Sequence, residues 1–366
     1  MYKIFNIENM IKIALLGCGR ISVKHAEILS KDFVEGATLV AVCDTDCQKA
    51  KILGDKFNVP SYIDYKEMIS KENIDVVSIL TPSGMHYKNA IEIANLKKHI
   101  IVEKPMALKL DDADEMIKAC DYNNVKLFVV KQNRFNLPVQ KLKEAIDQNR
   151  FGKLTLGTIR VRWCRDQDYY DQDNWRGTWE HDGGVLTNQA SHHIDLLEWM
   201  MGEIESVFAK SSTYLVDIEV EDTAVAVLKF KNGAMGIIEA TTATRPENIE
   251  GSISILGEKG TVVIGGFAVN EIKTWNFTEK KDEDENIFKD FSENPKDVYG
   301  FGHVAYYKNV VDCLNNNSQQ LVDGLEGRKS IELISALYES IETGKEVYLR
   351  FNPKSCKLGE KNVTKA

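Results

Sequence analysis

Ile11-Lys12-Ile13-Ala14-Leu15-Leu16-Gly17-Cys18-Gly19-Arg20-Ile21-Ser22 decides the fold. A run that is apolar at all but one position enters a glycine turn, and an amphipathic helical stretch, 23–29, follows at once. A strand apolar nearly throughout must be buried on both faces, as in a parallel sheet covered by helices. Gly17 permits a tight turn and Gly19 lets the backbone approach a pyrophosphate. Arg20 and Ile21 lead into a helix whose free N–H groups and positive dipole end attract an anion. Ser22 stands where a third glycine or alanine is usual, and its side chain is small enough to serve. Asp44 ends the next apolar run, where a ribose-binding acid is expected. Its carboxylate accepts from ribose hydroxyls and repels a 2′-phosphate, and neither Thr45 nor Asp46 supplies an arginine to hold that phosphate. The expected cofactor is therefore NAD and not NADP. Asp44 has a second reading, as a cap on the helix that begins near residue 46.

Outward from this turn the same βα grammar repeats. Apolar runs at 38–43, 75–80, 99–102 and 126–130 alternate with helical stretches at 46–57, 86–95 and 111–120. These give an α/β Rossmann domain over 1–135. From 136 to 352 the pattern changes to long runs with period-two alternation, at 154–165, 206–215, 223–230, 234–241, 249–256 and 261–264. Lys231-Asn232-Gly233 and Gly257-Glu258-Lys259-Gly260 are hairpin turns. This second domain reads as α+β, with a mainly antiparallel, open-faced sheet. Helices near 188–201, 304–314 and 328–343 cover one face and leave the other for a second subunit. The acidic segment 279–296 reads as a surface loop, and 353–366 as a frayed tail.

The totals agree with two domains: 366 residues exceed one comfortable core. A net charge of −9 disfavours nucleic acid. No apolar run approaches the roughly 20 residues of a membrane helix, and the first ten residues lack the features of a secretory signal, so the cytoplasm is expected. Cys18, Cys43, Cys47, Cys120, Cys164, Cys313 and Cys356 show no CxxC spacing for zinc or a redox disulfide. His181, Asp182, His192 and His193 lack the HxxxH or HExxH spacing of a metal site, and adjacent histidines diverge on a helix, so no metal is expected.

Two further stretches carry chemistry. Glu103-Lys104-Pro105 follows the run 99–102, at a strand's carboxyl end, where open α/β sheets bind ligands. Asp182-Gly183-Gly184-Val185-Leu186-Thr187-Asn188-Gln189-Ala190-Ser191-His192-His193-Ile194-Asp195 opens a helix with Asn188, His192 and Asp195 at i, i+4 and i+7, on one face. A helical histidine is otherwise most often a satisfied core residue. Together with the glycine turn and Thr81-Pro82-Ser83-Gly84-Met85-His86, these pieces resemble the Gfo/Idh/MocA oxidoreductase family, over nearly the whole chain. Asn188 stands where many members carry aspartate, which moves acid–base weight onto His192 and Lys104.

Within that family, the run from Arg162 to Trp179 followed by Leu186–Asp195 is similar to the UDP-N-acetylglucosaminuronate 3-dehydrogenases of surface-polysaccharide synthesis. The resemblance implies oxidation of a sugar C3 hydroxyl, a UDP-sugar substrate, homotetramers and, in some members, re-oxidation of bound NADH by 2-oxoglutarate. It implies cofactor contacts from Gly17, Gly19, Arg20, Ile21, Asp44, Thr81, Pro82, His86, Glu103 and Lys104, and a candidate cis bond at Lys104–Pro105. Lys104, His192 and Asn188 form the expected catalytic group. Substrate contacts are expected from Arg162, Trp175, Arg176, Asn188, His192 and His303. Arg160, Arg162, Arg165 and Arg176 gather near tyrosines and tryptophans, and guanidinium groups suit a diphosphate or a uronate carboxylate; alternating along a strand, they also suit solvent or a subunit interface. The alternatives are another sugar or inositol dehydrogenase of the family, and, in another class, a non-catalytic NAD-binding sensor, which would need neither Lys104 nor His192.

Overall fold

Strands β1 (Ile11–Leu16), β2 (Ala37–Cys43), β3 (Ser61–Tyr62), β4 (Val76–Ile79), β5 (His99–Val102) and β6 (Leu127–Val129) form one parallel sheet in the order β3-β2-β1-β4-β5-β6. The computed structural model describes residues 10–31, 33–292, 301–349 and 357–359. The order reverses between β1 and β4, which places a ligand crevice at the carboxyl ends of those two strands. The sheet lies within a first compact unit of residues 1–107, 111–130 and 303–327. Helices α1 (Ser22–Ser30), α2 (Cys47–Phe57), α3 (Tyr65–Lys71), α4 (His86–Asn95) and α5 (Leu110–Asn123) connect its strands. β3 and α3 have no counterpart in the sequence reading. β3 is two residues at the sheet edge without an apolar run, and α3 buries only Met68, its start marked by Asp64 accepting from Lys66 N at 2.7 Å.

The second unit comprises residues 108–110, 131–302 and 328–366. Its elements are α6 (Leu137–Asp147), β7 (Leu154–Arg162), α7 (Gln167–Asp171), α8 (Ser191–Met201), β8 (Ile204–Ser212), β9 (Thr223–Phe230), β10 (Met235–Thr241), β11 (Glu250–Gly257), β12 (Gly260–Gly265), β13 (Glu271–Phe277) and α9 (Ile287–Asp290). Beyond them α10 (Gly302–Asn316) returns, from His303 onward, to the first unit. α11 (Gly324–Thr343) and β14 (Val347–Tyr348) complete the described elements. The second sheet runs β13-β12-β11-β7-β10-β9-β8-β14, antiparallel except for the parallel pair β7–β10.

Alternation along these strands sorts the two faces. Ile159, Val161, Ala226, Leu228, Ile238 and Ile253 are buried with Leu197, Met200 and Met201 of α8 and Leu333 and Leu337 of α11. The opposite face exposes Val225, Val227, Met235 and Ile237 at 51%, 56%, 62% and 40%. One covered face and one apolar exposed face is the arrangement of a sheet that meets another surface.

Two further differences concern the carboxyl-terminal part. Within 279–296, Asp284 accepts from Arg150 Nη1 at 2.9 Å and from Trp275 Nε1 at 2.7 Å, and Ile287 is buried in α9, so the acidic stretch is anchored as far as it is described. Residues 293–296 lie outside the described residues, as does most of the tail. Leu358, however, is 1% exposed and joins the core of the second unit, so that part of the tail is not frayed.

Candidate active site

The cofactor half is built at the end of β1. Gly17 has φ +104, and a Cβ there would lie 2.6 Å from Leu80 O, so no side chain is tolerated. Gly19 has open space where a Cβ would be. Ser22 is buried, and its Oγ donates to Gly19 O at 2.6 Å, which closes the turn and fills the place of the third glycine. No side chain caps α1, which starts directly after the turn. These features fit a dinucleotide: Gly17, Gly19, Arg20 and Ile21 would hold the pyrophosphate.

Asp44 Oδ2 accepts from Cys18 N at 2.7 Å and Oδ1 from Asp46 N at 2.9 Å. The helix cap is Asp46 instead, which accepts from Gln48 N at 2.9 Å. Asp44 is thus held against the glycine turn, where a ribose would meet it. Burial, followed by the Asp44 charge, pushes the Cys18 thiol up to about 12, which keeps it inert. His86 spans two carbonyl oxygens, Thr81 O from Nε2 and Pro105 O from Nδ1, each at 2.8 Å. It ties the Thr81-Pro82 turn to the Lys104-Pro105 turn, whose peptide bond is cis.

Glu103 follows β5 and is buried. Its Oε2 accepts from Lys104 N at 3.0 Å, and its Oε1 lies 3.1 Å from His25 Nε2 and 4.0 Å from His303 Nε2. His25 Nδ1 lies 2.6 Å from the Tyr307 hydroxyl. Burial opposes charge on Glu103, but His25 and His303 hold its carboxyl well below the ordinary range. These three are the group among the described residues whose metal-capable atoms gather within 4.8 Å. The hydrogen bonds running from Tyr307 through His25 to Glu103 give the cluster a task without an ion, that of fixing the turn bearing Lys104. His303 therefore stands beside Glu103 in the first unit, in the first turn of α10 and not in a loop.

The second unit carries a further group of candidate residues. Asp182–Asn188 approaches α8 over a buried carboxyl: Glu221 Oε1 accepts from Leu186 N at 3.0 Å and from the Tyr338 hydroxyl at 2.8 Å. A Cβ on Gly184 would meet Glu221 Oε2 at 2.1 Å. The Tyr338 oxygen in turn accepts from Gly184 N at 3.2 Å and Thr187 Oγ1 at 3.1 Å. Asn188 precedes α8 and donates to Asp182 Oδ1, whereas Asp195 receives two bonds from Arg134 at 2.8 Å and faces Lys131 at 3.4 Å. The expected shared face of Asn188, His192 and Asp195 is therefore divided, because the helix starts only at Ser191. His192 is 9% exposed, and the Gln132 amide nitrogen donates to its Nε2 at 3.0 Å, which leaves Nε2 as an acceptor in that arrangement. Burial works against charge on Asp195, but Arg134 and Lys131 hold it at about 2, so the carboxylate one turn from His192 is ionised and paired with two cations.

The arginines divide by face. Arg162 points to the exposed side of the sheet, paired with Glu239 at 2.6 Å and Glu250 at 3.4 Å, away from α8. Arg176 pairs with Asp173 at 3.1 Å and lies 4.7 Å from the Trp175 ring centre. The sequence reading missed Gln132, Arg134, Glu221 and Tyr338. The polar run Lys131-Gln132-Asn133-Arg134 directly after the apolar β6 was the available signal for the first two. Nothing in sequence marked Glu221 or Tyr338, since burial decides their role.

Residues 11–131 match the oxidoreductase family's NAD-binding Rossmann fold, and residues 143–349 match its C-terminal alpha/beta domain. The chain belongs to the Gfo/Idh/MocA oxidoreductase family. Among relatives, the myo-inositol 2-dehydrogenase of Thermotoga maritima is 31% identical over 92% of this chain and 98% of its own length. The WlbA dehydrogenase of Bordetella pertussis, solved with NADH and UDP-GlcNAcA, is 44% identical, with a TM-score of 0.89 over 93% of this chain and 98% of that one. The WlbA enzyme of Chromobacterium violaceum, solved with the same two ligands, is 43% identical, with a TM-score of 0.87 over 94% and 97%. This member is an NAD-dependent sugar or polyol dehydrogenase acting on CH–OH groups.

Two outcomes follow from the site. Asp44→Ala should weaken NADH binding by about 10-fold or more through loss of charge-assisted hydrogen bonds, and narrow the preference for NADH over NADPH; fluorescence titration with both nucleotides measures it, and an unchanged ratio would take Asp44 out of the ribose site. Burial, ahead of all else, raises Glu221 from 4.5 to about 7. Its stabilising contribution is complete below the unfolded value and is lost as pH rises through the folded one. Glu221→Gln should then melt at or below wild type at pH 5 and roughly 5 °C above it at pH 8, whereas parallel melting curves would mean that Glu221 does not titrate in this range.

Proposed function

We propose that this dehydrogenase oxidises the C3 hydroxyl of UDP-N-acetylglucosaminuronate to the 3-keto sugar. What carries this reading is the identity of 43–44% over nearly the full length with two enzymes solved holding that nucleotide sugar, against 31% with the inositol enzyme. When bound, NAD supplies the acceptor for the hydride that leaves the sugar carbon. His192 takes the hydroxyl proton at Nε2, the substrate hydroxyl replacing the Gln132 amide as the donor to that nitrogen. Lys104, held by the Glu103 turn, hydrogen-bonds the same oxygen and stabilises its developing charge. Asn188, aligned by Asp182, orients the sugar.

The same reading places the enzyme in surface-polysaccharide synthesis in the cytoplasm, where an aminotransferase consumes the 3-keto group and 2-oxoglutarate re-oxidises NADH without its release. It also makes the chain a homotetramer that uses the exposed apolar sheet face. A second reading, oxidation of myo-inositol, rests on the Thermotoga relative.

Incubation with UDP-N-acetylglucosaminuronate, with and without 2-oxoglutarate, should yield a product two mass units lighter by mass spectrometry, and myo-inositol should not react; the reverse pattern would select the second reading. Lys104→Ala and His192→Asn should keep NADH affinity and lower turnover by about 10²–10⁴-fold, and normal turnover in both would end their assignment. Val227→Glu on the sheet face should dissociate the assembly in analytical ultracentrifugation, and an unchanged sedimentation coefficient would move the interface elsewhere.

A further inference from the structure

The arginines that follow one another along β7 and beyond it do not share an environment. Ile159, Val161 and Trp163 point to the face covered by α8, while Arg160 and Arg162 point to the other. Arg165 stands two residues beyond Trp163, and its guanidinium lies over the Trp163 ring at 5.3 Å, on the covered side. The Tyr169 ring flanks the same guanidinium at 5.1 Å, and Arg176 follows at 4.7 Å beyond Tyr169. Cation and ring thus alternate from Trp163 through Arg165, Tyr169 and Arg176 to Trp175. At the inner end Trp163 meets the ring of His193 edge-on at 5.9 Å, and His193 adjoins His192 on α8.

Charge separates Arg165 from its neighbours. Arg160 lies 3.7 Å from Glu239, Arg162 pairs with Glu239 and Glu250, and Arg176 pairs with Asp173. Arg165 has no carboxylate within ion-pair distance among the described residues. Its Nη1 donates to Cys164 O at 2.6 Å and Asn248 Oδ1 at 3.1 Å, both neutral acceptors. Nε and Nη2, the pair that matches a two-oxygen anion, are engaged by no described residue. A second donor stands beside it: Trp163 is 6% exposed, and its indole N–H has no acceptor among the described residues. A buried donor of this kind is satisfied in most proteins. Sandwiched between two rings, the Arg165 guanidinium also meets less screening than a surface arginine.

We infer that Arg165 is the residue that reads the substrate's negative charge, by forming a two-pronged hydrogen bond to an oxyanion of the nucleotide sugar, with the Trp163 N–H as an auxiliary donor. Carboxylate and diphosphate share this chemistry. The inference rests on the function proposed above, and goes beyond it by singling out one of four arginines as the specificity determinant.

Titration calorimetry on the full chain with bound NADH tests it, using UDP-N-acetylglucosaminuronate, UDP-N-acetylglucosamine and UDP. Arg165→Gln should weaken the uronate sugar by about 10²-fold and leave NADH affinity unchanged. If the uronate carboxylate is the partner, UDP-N-acetylglucosamine and UDP bind the variant as they bind wild type; if the diphosphate is the partner, all three weaken together. Arg165→Lys, which keeps the charge and a donor toward Cys164 O, covers the case in which the glutamine variant does not fold. It should remain at least 10-fold weaker than wild type because an ammonium lacks the fork. Wild-type affinity for all three ligands in a folded variant would overturn the inference while leaving the proposed function intact. Failure of wild type to bind any of them would remove both.

Discussion

The first unit depends on the absence of a side chain at Gly17. Its N–H donates to Cys43 O at 2.8 Å, and its Cα lies so close to Leu80 that a Cβ would sit 2.6 Å from that residue's carbonyl oxygen. Cys43 ends β2 and Leu80 follows β4, so the carboxyl ends of three neighbouring strands converge on one residue. Asp44 and Thr81 are the next residues along two of those strands. The positions of the ribose acid and of the Thr81-Pro82 turn are therefore consequences of one close approach, and the crevice at the sheet's reversal is shaped before any side chain is chosen.

The second unit solves a different problem, that of aiming a few polar groups inside an apolar core. Burying Asp195 with Arg134 and Lys131 removes three charges from water, and such arrangements add little net stability compared with apolar packing. Stability comes from the layer of Ile, Leu, Val and Met between the sheet and helices α8 and α11. The polar groups instead narrow the conformations open to the stretch between Asp182 and Asp195. Glu221 and Tyr338 satisfy its backbone donors from below, and Arg134 fixes the far end. Loosening either end would change where Asn188 and His192 point without unfolding the core, which is how a distant substitution can lower turnover.

Much of this was legible in the sequence because strand and helix periods report burial directly. The alternating βα pattern gave β1, β2, β4, β5 and β6 to within about two residues, and period-two runs gave β7 to β12. What escaped is equally instructive. β13 and β14 lacked clear apolar alternation, and the return of 303–327 to the first unit depends on tertiary contacts that no local pattern records. Parity could have separated Arg162 from Arg165, since strand residues an odd number apart lie on opposite faces, but only once β7 was known to end at Arg162 with Trp163 turned inward. Asn188 was expected on the helix with His192 because nothing in sequence announced that α8 starts three residues later. Buried carboxyls such as Glu221 look in sequence like any surface acid.

The parallel pairing of β7 with β10 has a consequence for how the chain is made. β7 is the axis of its sheet, yet both of its neighbours, β10 and β11, lie more than 70 residues further along. At typical rates of synthesis it emerges from the ribosome roughly 4–15 s before either neighbour exists. Its backbone donors and acceptors have no strand partner over that interval, and an unpaired edge is open to mispairing. The centre of the sheet therefore cannot close until β10 and β11 have both emerged, however early β7 is made.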